Sequence, residues 1–461
     1  MKTYDFCVIF ASMPDNTDHN LTVGFVALGC PKNIVDSEKM LALIGQAGFV
    51  LTGDPDTADV VVINTCGFIA PAKAEAIEAI RHAIKQKRKG KVRKVIVAGC
   101  LPQRIGQKLL REVPGIDTLI GLAQRDRIAQ IIKETLQSSG RQAEYFAPHD
   151  PAVHDDRGRL LITPAHWAYL RISEGCSRRC SFCTIPQIRG SFRSKPPDQV
   201  LAEAAELVDN GAVELNIIAQ DSTCYGRDMN MPHGLSRLIA RLEQIDRLRW
   251  IRLMYLYPAG IDEMLIETIA SSKKVLHYVD MPVQHINDRI LRQMHRPDTM
   301  EGTYRLVEKL RCAMPDVVLR TTVIVGFPGE TRQHFEQLLE FITWAGFDAL
   351  GCFRFYPEEG TKAAELPDQV EEEIKHARYD EIMRTQQQIA FTRCNERIGT
   401  GVLCLIDEVG SDSRARGRFY GQAPHIDSVS FIPNCKAAPG EFIKVRIVAR
   451  DGYDLIAEQN L

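Results

Sequence analysis

Between residues 22 and 137, short apolar runs alternate with longer segments of mixed polarity. The runs TVGFVALGC, DVVVINTCGF, KVIVAGC and TLIGLA are almost continuously hydrophobic, as strands of a parallel sheet covered on both faces are. The intervening segments have helical spacing, and PAKAEAIEAIRHAIKQKRKG places Pro71 in a first turn and Gly90 at a C-terminal cap. The pattern predicts an α/β fold whose N-terminal domain, residues 21–140, is a doubly wound parallel sheet.

A second alternating region follows the polar stretch APHDPAVHDDRGRL, which predicts a linker over residues 141–162. Six strand-like runs, from AYLRISEGC to DALGCFRFYP, alternate there with helical segments and predict a central partial (β/α)6 barrel. A long trailing helix completes this domain, residues 163–396, and is predicted from the apolar spacing of Val370, Ile374, Ala377, Ile382 and Ile389.

The two ends of the chain have other patterns. Residues 397–461 contain short alternating runs such as GVLCLIDEV and SVSFIP, which predict a small C-terminal β-barrel. The opening stretch MKTYDFCVIFASMPDN has an acid within its short apolar run and no clear cleavage site. Residues 1–20 are therefore predicted to be a loose extension rather than an export signal.

Composition narrows the class of protein. The 461 residues are 45% hydrophobic and carry a formal net charge of −2, which excludes a strongly basic, non-specific nucleic-acid binder. No apolar run approaches the roughly 20 residues of a membrane helix, so we expect a cytoplasmic protein with no membrane partner. Thirteen cysteines without an export signal favour metal binding or catalysis over disulfides.

Three cysteines lie close together in EGCSRRCSFCTIPQIRG, after the first predicted barrel strand. Cys176, Cys180 and Cys183 have the spacing C-x3-C-x2-C. Structural zinc sites take four ligands, and neither a second cysteine pair nor a nearby histidine completes this set. Three thiolates with one position open suit a 4Fe-4S cluster, at the strand end where barrel enzymes build active sites.

Three further cysteines are far apart in sequence but equivalent in position. Cys30, Cys66 and Cys100 each end an apolar run, VALGC, VINTC and VAGC. The carboxyl ends of parallel strands meet at one edge of a sheet, so the three thiols are predicted to converge. The alternative is that they are buried cysteines acting as small hydrophobes; the sharper hypothesis is a second cluster with an open iron.

The close spacing, with Phe182 just before the last cysteine, resembles that of the radical S-adenosylmethionine superfamily. The resemblance implies that the open iron chelates S-adenosylmethionine, which one electron from the cluster splits to give a 5′-deoxyadenosyl radical. TTVIVGFPGE resembles a later contact of that cofactor, where Gly326 lets the backbone approach, and Gln220 ends a strand on the same rim. Phe182, Gln220 and Gly326 are thus the expected cofactor-binding residues, an ordinary strand-to-helix turn being the alternative for Gly326.

Two cysteine trios, a partial barrel and a terminal β-barrel together resemble the methylthiotransferases, whose terminal module is the TRAM domain. LGCPKNIVDSE, IIAQDSTCYG and GRFYGQAPHIDSV are similar to stretches of those members that methylthiolate an aspartate of ribosomal protein S12. The resemblance implies two 4Fe-4S clusters, S-adenosylmethionine, and no catalytic side chain beyond the cluster ligands. It also implies a monomer that meets S12, free or in the small subunit, and an electron donor such as flavodoxin or ferredoxin.

Two other functions stay open at this stage. A tRNA (adenosine) methylthiotransferase should carry a basic excess on its terminal domain, but eight basic and eight acidic residues cancel within 397–461. A local basic stripe of Arg414, Arg416 and Arg418 is still compatible with that count. An iron-sulfur electron carrier is the other alternative, although six strand-helix units are more scaffold than it needs.

Overall fold

The structure, a computed structural model, describes residues 21–138, 142–146 and 153–459. The extension predicted for residues 1–20 lies outside the described residues, as does part of the predicted linker. The chain forms two compact units. The first comprises the chain up to Ile162 with Glu174–Arg178 and Cys183–Arg193, and the second comprises Thr163–Ser173, Arg179–Phe182 and the chain from Ser194 onward.

The first unit contains a six-stranded, all-parallel sheet with the strand order β2-β1-β3-β4-β5-β6. Its strands are β1 (Thr22–Ala27), β2 (Val50–Thr52), β3 (Val60–Thr65), β4 (Lys94–Gly99), β5 (Thr118–Ile120) and β6 (Ala143–Tyr145). Its helices are α1 (Pro31–Gln46), α2 (Ala70–Arg88), α3 (Cys100–Ile105), α4 (Gln107–Glu112) and α5 (Ile128–Gln137). The predicted doubly wound parallel sheet is confirmed.

Strand β3 shows why the apolar runs are continuous. All six of its residues are buried. Val61 and Ile63 belong to the core that includes residues of α2, whereas Val60 and Val62 belong to the core that includes residues of α1 and α5. Because successive side chains point to opposite faces and helices cover both, residues 60–63 are apolar without interruption.

The edge strands β2 and β6 were not predicted from the sequence. Each has only three residues, which are mostly half-exposed, so neither forms an apolar run as long as those of the neighbouring strands. Ala143–Tyr145, within the stretch predicted as a linker, pairs in register with β5. Residues 159–162 are also held, since the buried Glu38 carboxylate accepts from Arg159 Nη1 at 3.1 Å and from the Ile162 amide at 3.2 Å.

The second unit contains the barrel. Its six parallel strands have the order β14-β13-β12-β11-β10-β7, as predicted for a partial barrel. They are β7 (Trp167–Arg171), β10 (Glu214–Ile218), β11 (Trp250–Leu253), β12 (Val275–Asp280), β13 (Val318–Val325) and β14 (Ala349–Arg354). The two-residue strands β8 (Ser173–Glu174) and β9 (Arg193–Ser194), with helix α6 (Ile185–Arg189), occupy the chain after β7. The later helices are α7 (Pro197–Asp209), α8 (Gly234–Leu242), α9 (Glu263–Ser271), α10 (Asp288–Gln293), α11 (Met300–Ala313), α12 (Arg332–Ala345) and α13 (Glu372–Glu396).

Helix α13 is the predicted trailing helix, and of the five apolar residues whose spacing predicted it only Ile382 is buried. Ile374 is 44% exposed and Ala377 is also exposed. The buried positions of the helix are Lys375, Arg378, Ile382, Gln386 and Ala390. The face is polar because its side chains make specific hydrogen bonds, and periodicity of hydrophobic residues cannot detect such a face.

The C-terminal strands close into a five-stranded barrel with the order β15-β16-β17-β19-β18, as predicted. They are β15 (Gly401–Val409), β16 (Ala415–Phe419), β17 (Ser430–Ile432), β18 (Phe442–Asp451) and β19 (Asp454–Gln459). The sequence did not predict β16, whose stretch ARGRF contains two arginines. Gly452, with φ +60°, makes the turn that divides the last run into β18 and β19.

This small barrel packs against the amino-terminal ends of the central strands. Glu214, the first residue of β10, is buried and accepts from Arg252 Nε at 2.9 Å and from Arg418 Nη1 at 2.7 Å. Trp250 and Val318, which begin β11 and β13, share a core with β15–β19. The carboxyl ends of the central strands therefore lie away from the small barrel.

A helix with the length and apolar character needed to span a membrane is not found among the described residues.

Candidate active site

The dispersed trio, Cys30, Cys66 and Cys100, lies at one edge of the first unit's sheet. Cys66 follows β3 directly, Cys100 follows β4, and Cys30 lies three residues beyond β1. These three strands are neighbours and parallel. Burial raises the pKa of Cys66 to about 11, and proximity to Cys30 contributes to that rise. The thiols are therefore within electrostatic range of one another.

Glycine makes this edge tight. A Cβ atom on Gly29, whose φ is +103°, would lie 2.9 Å from Cys66 Cβ. A Cβ atom on Gly67 would lie 2.8 Å from the backbone Cα of Leu101. Real side chains do not approach so closely, so the loops after β1 and β3 need glycine to bring the cysteine-bearing backbones together.

Asn33, in the first turn of α1, ties two strand ends together. Its Nδ2 donates to the carbonyl oxygens of Leu28 and Thr65, each at 3.0 Å. Its Oδ1 accepts from Cys100 Sγ at 3.5 Å. A single buried carboxamide thus fixes the chain after β1 against the chain after β3 and contacts the third cysteine.

Arg189, the last residue of α6, brings a buried positive charge to the same place. Its Nη1 donates to both carboxylate oxygens of Glu174 at 3.1 Å. Its Nη2 lies 2.6 Å from Asn33 Oδ1, 3.1 Å from Asp36 Oδ2 and 3.4 Å from Cys100 Sγ. Burial alone would lower the pKa of Arg189, but Cys100, Glu174 and Asp36 raise it well above its usual value. The side chain is therefore a permanent cation.

The dispersed trio suits a sulfur-ligated cluster. Burial raises the pKa of Cys100 to about 12, although the charge of Arg189 opposes the rise. Such thiols stay protonated at neutral pH until a metal replaces the proton. Among the described residues, no three His, Cys, Asp or Glu side chains are arranged to hold a single metal ion. Cluster thiolates bind separate irons and are spaced more widely than the ligands of one ion, so this finding is compatible with a cluster.

The close trio, Cys176, Cys180 and Cys183, lies in the loop that precedes α6. The backbone amide of Cys176 donates to Gly190 O at 3.0 Å, and Cys183 Sγ accepts from the Ile185 amide at 3.5 Å. Both contacts are within the first unit, whereas Cys180 belongs to the second. Cys176 is buried, and Cys180 and Cys183 are half-buried.

The two residues after Cys180 are held by the second unit. The Ser181 amide donates to Met294 O at 3.0 Å and the Ser181 hydroxyl donates to Gln293 O at 2.7 Å. Phe182 packs against an apolar cluster that includes Met294 and Phe327. The aromatic residue predicted to bind the cofactor is thus a partly buried ring anchored beside the turn that follows β13.

That turn contains Gly326, with φ +73°. The Glu330 carboxylate accepts from the Gly326 amide at 2.7 Å and from Arg378 Nη1 at 2.8 Å. A Cβ atom on Gly326 would lie 2.2 Å from Lys375 Cγ, so helix α13 itself requires glycine here. Glu330, Lys375 and Arg378 were missed by sequence reasoning; the acid ending GFPGE and the cations of α13 were the available signal.

Strand β10 contributes two polar groups. Gln220, predicted to bind the cofactor, is half-buried and lies two residues beyond the end of the strand. Asn216, which the sequence did not single out, is completely buried on the same strand face as Glu214. Neither amide atom of Asn216 has a hydrogen-bond partner among the described residues. Buried polar atoms rarely stay unsatisfied, so this face suits a bound polar ligand such as S-adenosylmethionine.

The three arginines that the sequence left open as a basic stripe, in and just before β16, differ in burial. Arg418 is 1% exposed and donates to Glu214 and to Asp407. Arg416 pairs with Glu408 at 2.6 Å, and Arg414 lies 4.2 Å from the centre of the Phe431 ring. Arg418 is thus internal, whereas Arg414 and Arg416 are exposed, so the possible stripe is reduced to two surface cations.

Three protein families match consecutive parts of the chain. Residues 22–121 match the Uncharacterized protein family UPF0004, residues 170–342 the Radical SAM superfamily and residues 398–459 the TRAM domain. A solved structure of the radical S-adenosylmethionine methyltransferase TsrM from Kitasatospora setae is similar at a TM-score of 0.52 and 16% identity, covering 75% of this chain and 77% of that one. At this identity the likeness shows the fold alone.

Relatives align along almost the whole chain. The protein from Geobacter sulfurreducens is 44% identical over 438 residues, which is 95% of this chain and 98% of the relative. Proteins from Geotalea uraniireducens and Syntrophomonas wolfei are each 42% identical over 95% of this chain, covering 98% and 100% of their own lengths. All three are named ribosomal protein uS12 methylthiotransferase RimO. The resemblance found in the sequence is thereby confirmed, and the chain belongs to the RimO family of ribosomal protein uS12 methylthiotransferases.

Proposed function

We propose that this enzyme adds a methylthio group to the β-carbon of an aspartate of ribosomal protein uS12. Relatives that bear this activity in their name share 40–44% of its residues over 95% of its length. Two 4Fe-4S clusters and S-adenosylmethionine are its cofactors. The observation that carries sulfur transfer, rather than radical chemistry alone, is the second cysteine trio at adjacent strand ends of the first unit.

The six cysteines divide into two ligand sets. Cys176, Cys180 and Cys183 hold the cluster that works with S-adenosylmethionine, because their spacing leaves one iron open. The second set, Cys30, Cys66 and Cys100, holds the cluster that presents sulfur. Bound together, these groups supply the radical that removes an unactivated hydrogen and the methylthio unit that replaces it.

The protein's own residues place the cofactor. The Phe182 ring packs against the apolar cluster that includes Phe327, and the turn at Gly326 is fixed by Glu330, to which Arg378 of α13 donates. Gln220 and the unsatisfied carboxamide of Asn216 offer hydrogen bonds along β10. Because cofactor chemistry provides the reactivity, no further side chain is needed as a nucleophile.

The proposed partner surface is that of a protein, not of an RNA. The terminal domain, residues 397–461, has equal numbers of acidic and basic residues, and Arg418 is internal. Neither feature suits a grip on tRNA phosphates. We place the enzyme in the cytoplasm, where uS12 is available free or in the small subunit, as a monomer reduced by a flavodoxin or ferredoxin.

Mass spectrometry of uS12 tests this function. Peptides from cells with the gene should carry a methylthio mass increase on one aspartate, and that increase should vanish in a deletion strain. Complementation with the chain in which Cys30, Cys66 and Cys100 are alanine should fail to restore it. An unchanged uS12 together with a lost methylthio nucleoside in tRNA would instead assign the tRNA reaction.

A further inference from the structure

Arg189 is a buried cation that the reaction outlined above does not use. Its side chain is 2% exposed, and its contacts lie within the first unit. Burying an arginine is costly unless anions or strong acceptors surround it. Its surroundings therefore indicate what the position is for.

The backbone around α6 is constrained so that Arg189 lies next to the dispersed trio. Pro186 lies in the first turn of the short helix α6, which ends at Gly190 with φ +74°. The Cys176 amide donates to Gly190 O at 3.0 Å. A Cβ atom on Gly175 would lie 2.1 Å from Ser191 O, so the two passes of the chain cross closely. These backbone constraints fix the position of Arg189 next to α3.

The guanidinium divides its donors between a carboxylate and the cysteine edge. Nη1 is fully used by the two oxygens of Glu174, which already gives the charge a counter-ion. Nη2 instead points to Asn33 Oδ1, Asp36 Oδ2 and Cys100 Sγ. The other Asp36 oxygen is bound by Arg125 Nη1 at 3.2 Å, so Asp36 is shared between two arginines.

The contact of 3.4 Å from Arg189 Nη2 to Cys100 Sγ is stronger when the sulfur is anionic. A neutral thiol is a weak acceptor, whereas a ligating thiolate accepts charge-assisted hydrogen bonds. Hydrogen bonds to cluster sulfurs and nearby charge are among the factors that set the reduction potential of an iron-sulfur centre. A fixed cation also orients the ligand that it contacts.

We propose that Arg189 is a positioning residue for the cluster held by the dispersed trio, an inference that rests on the proposed ligand assignment. Its Nη2 donates to the ligating sulfur of Cys100 and so fixes that ligand. Its charge stabilises the reduced, more negative form of the cluster and raises the reduction potential. The loop of the close trio thereby tunes the other centre.

The test uses the full chain with Cys176, Cys180 and Cys183 replaced by alanine, so that one cluster is expected after anaerobic reconstitution. Iron content and midpoint potential, the latter by titration followed with electron paramagnetic resonance, are compared for this parent and for added Arg189→Gln. The glutamine variant should keep its iron and shift to a lower potential. Arg189→Lys, which retains the charge, should recover most of the shift.

Matched controls separate tuning from folding. Arg193→Gln, at an exposed position of the same segment, should leave the potential unchanged. Arg189→Gln with full iron content and the parent's potential would overturn the proposal. Should Arg189→Gln not retain its cluster, Glu174→Gln provides the second test: it removes the carboxylate that shares the guanidinium and should raise the potential, and no change there would also overturn the proposal. A parent that binds no cluster would refute the ligand assignment itself.

Discussion

The two cysteine trios solve the same problem by different means. The close trio spans residues 176–183, so the local chain alone brings its thiols near one another. The dispersed trio spans residues 30–100 and depends on the order of β1, β3 and β4, on glycines without room for a Cβ, and on Asn33. The comparison teaches that the first site should tolerate changes elsewhere, whereas the second should fail when the sheet edge is disturbed.

The largest expected effect comes from removing the close trio. Replacing Cys176, Cys180 and Cys183 with alanine should abolish 5′-deoxyadenosine formation and leave about four iron atoms per chain, one 4Fe-4S cluster. Chromatography of the cofactor products and an iron assay measure the two results. Persistent cleavage of S-adenosylmethionine would contradict the assignment.

Removing the dispersed trio should separate the two halves of the reaction. With Cys30, Cys66 and Cys100 replaced by alanine, cofactor cleavage should continue while methylthiolation of a uS12 peptide stops. The reason is that only the cluster held by the close trio cleaves S-adenosylmethionine. Iron that stayed near eight atoms per chain, the content of two 4Fe-4S clusters, would show that the second site is elsewhere.

A methyl group added next to the ligand Cys66 should reproduce part of that loss. Gly67→Ala places a Cβ 2.8 Å from the backbone of Leu101, and overpacking of this kind costs about 1–3 kcal/mol. We expect the variant to lose iron and methylthio transfer while cofactor cleavage persists.

The matched control for that change is Gly45→Ala within α1. Its Cβ would lie no closer than 4.0 Å to a neighbouring atom, and alanine in a helix gains about 0.5–1 kcal/mol. Both clusters should be retained at the parent's iron content. Equal iron contents in the two glycine variants would argue against the dependence on the sheet edge.

The turn after β13 offers a smaller contrast. Gly326→Ala and Gly329→Ala both place alanine at positive φ, +73° and +77°, which costs about 1–2 kcal/mol. Only the first meets an obstacle, Lys375 Cγ at 2.2 Å, whereas the second has nothing within 3.4 Å. Gly326→Ala should therefore lose more free energy of unfolding and more affinity for S-adenosylmethionine.

Adding Lys375→Ala to Gly326→Ala separates two reasons for the glycine. If the double variant regains the extra free energy of unfolding that Gly326→Ala loses, measured by denaturant unfolding, the glycine is needed for the packing of α13. Recovered stability with weak S-adenosylmethionine binding by calorimetry would assign it to the cofactor as well. A double variant no more stable than Gly326→Ala alone would contradict the packing explanation.

The smallest expected effect is a pH dependence of the second unit. Burial, with His334 and Arg378 nearby, lowers the pKa of His285 to about 3, and Glu330 Oε2 lies 3.8 Å away. The unfolded chain takes up a proton below pH 6.5 but the folded chain does not, so stability is lost as pH falls from 6.5 toward 3. Burial raises the pKa of Glu330 to about 7, which acts in the opposite direction over the same pH range. The contribution of His285, about 2 kcal/mol between pH 7 and pH 5, should therefore appear as the difference in pH dependence between the parent and His285→Asn.

Much of the fold could be predicted from the hydrophobic pattern. The elements that it did not predict have few consecutive apolar residues. The central strands of the first sheet were visible because their apolar residues are buried on two faces. β2, β6 and β16 were missed because short or charged strands leave no apolar run. The buried face of α13 could not be predicted because Lys375 and Arg378 are buried through specific hydrogen bonds, which hydrophobic periodicity does not record.

The sequence by itself determined the close trio, since a ligand spacing of a few residues is a property of the local chain. It also determined that Cys30, Cys66 and Cys100 end equivalent strands. Only the tertiary structure decided that Asn33 and Arg189 reach Cys100 and that Arg418 is internal. The physical reason is that burial and hydrogen bonding between distant residues depend on how strands are ordered, which the pattern along a chain does not encode.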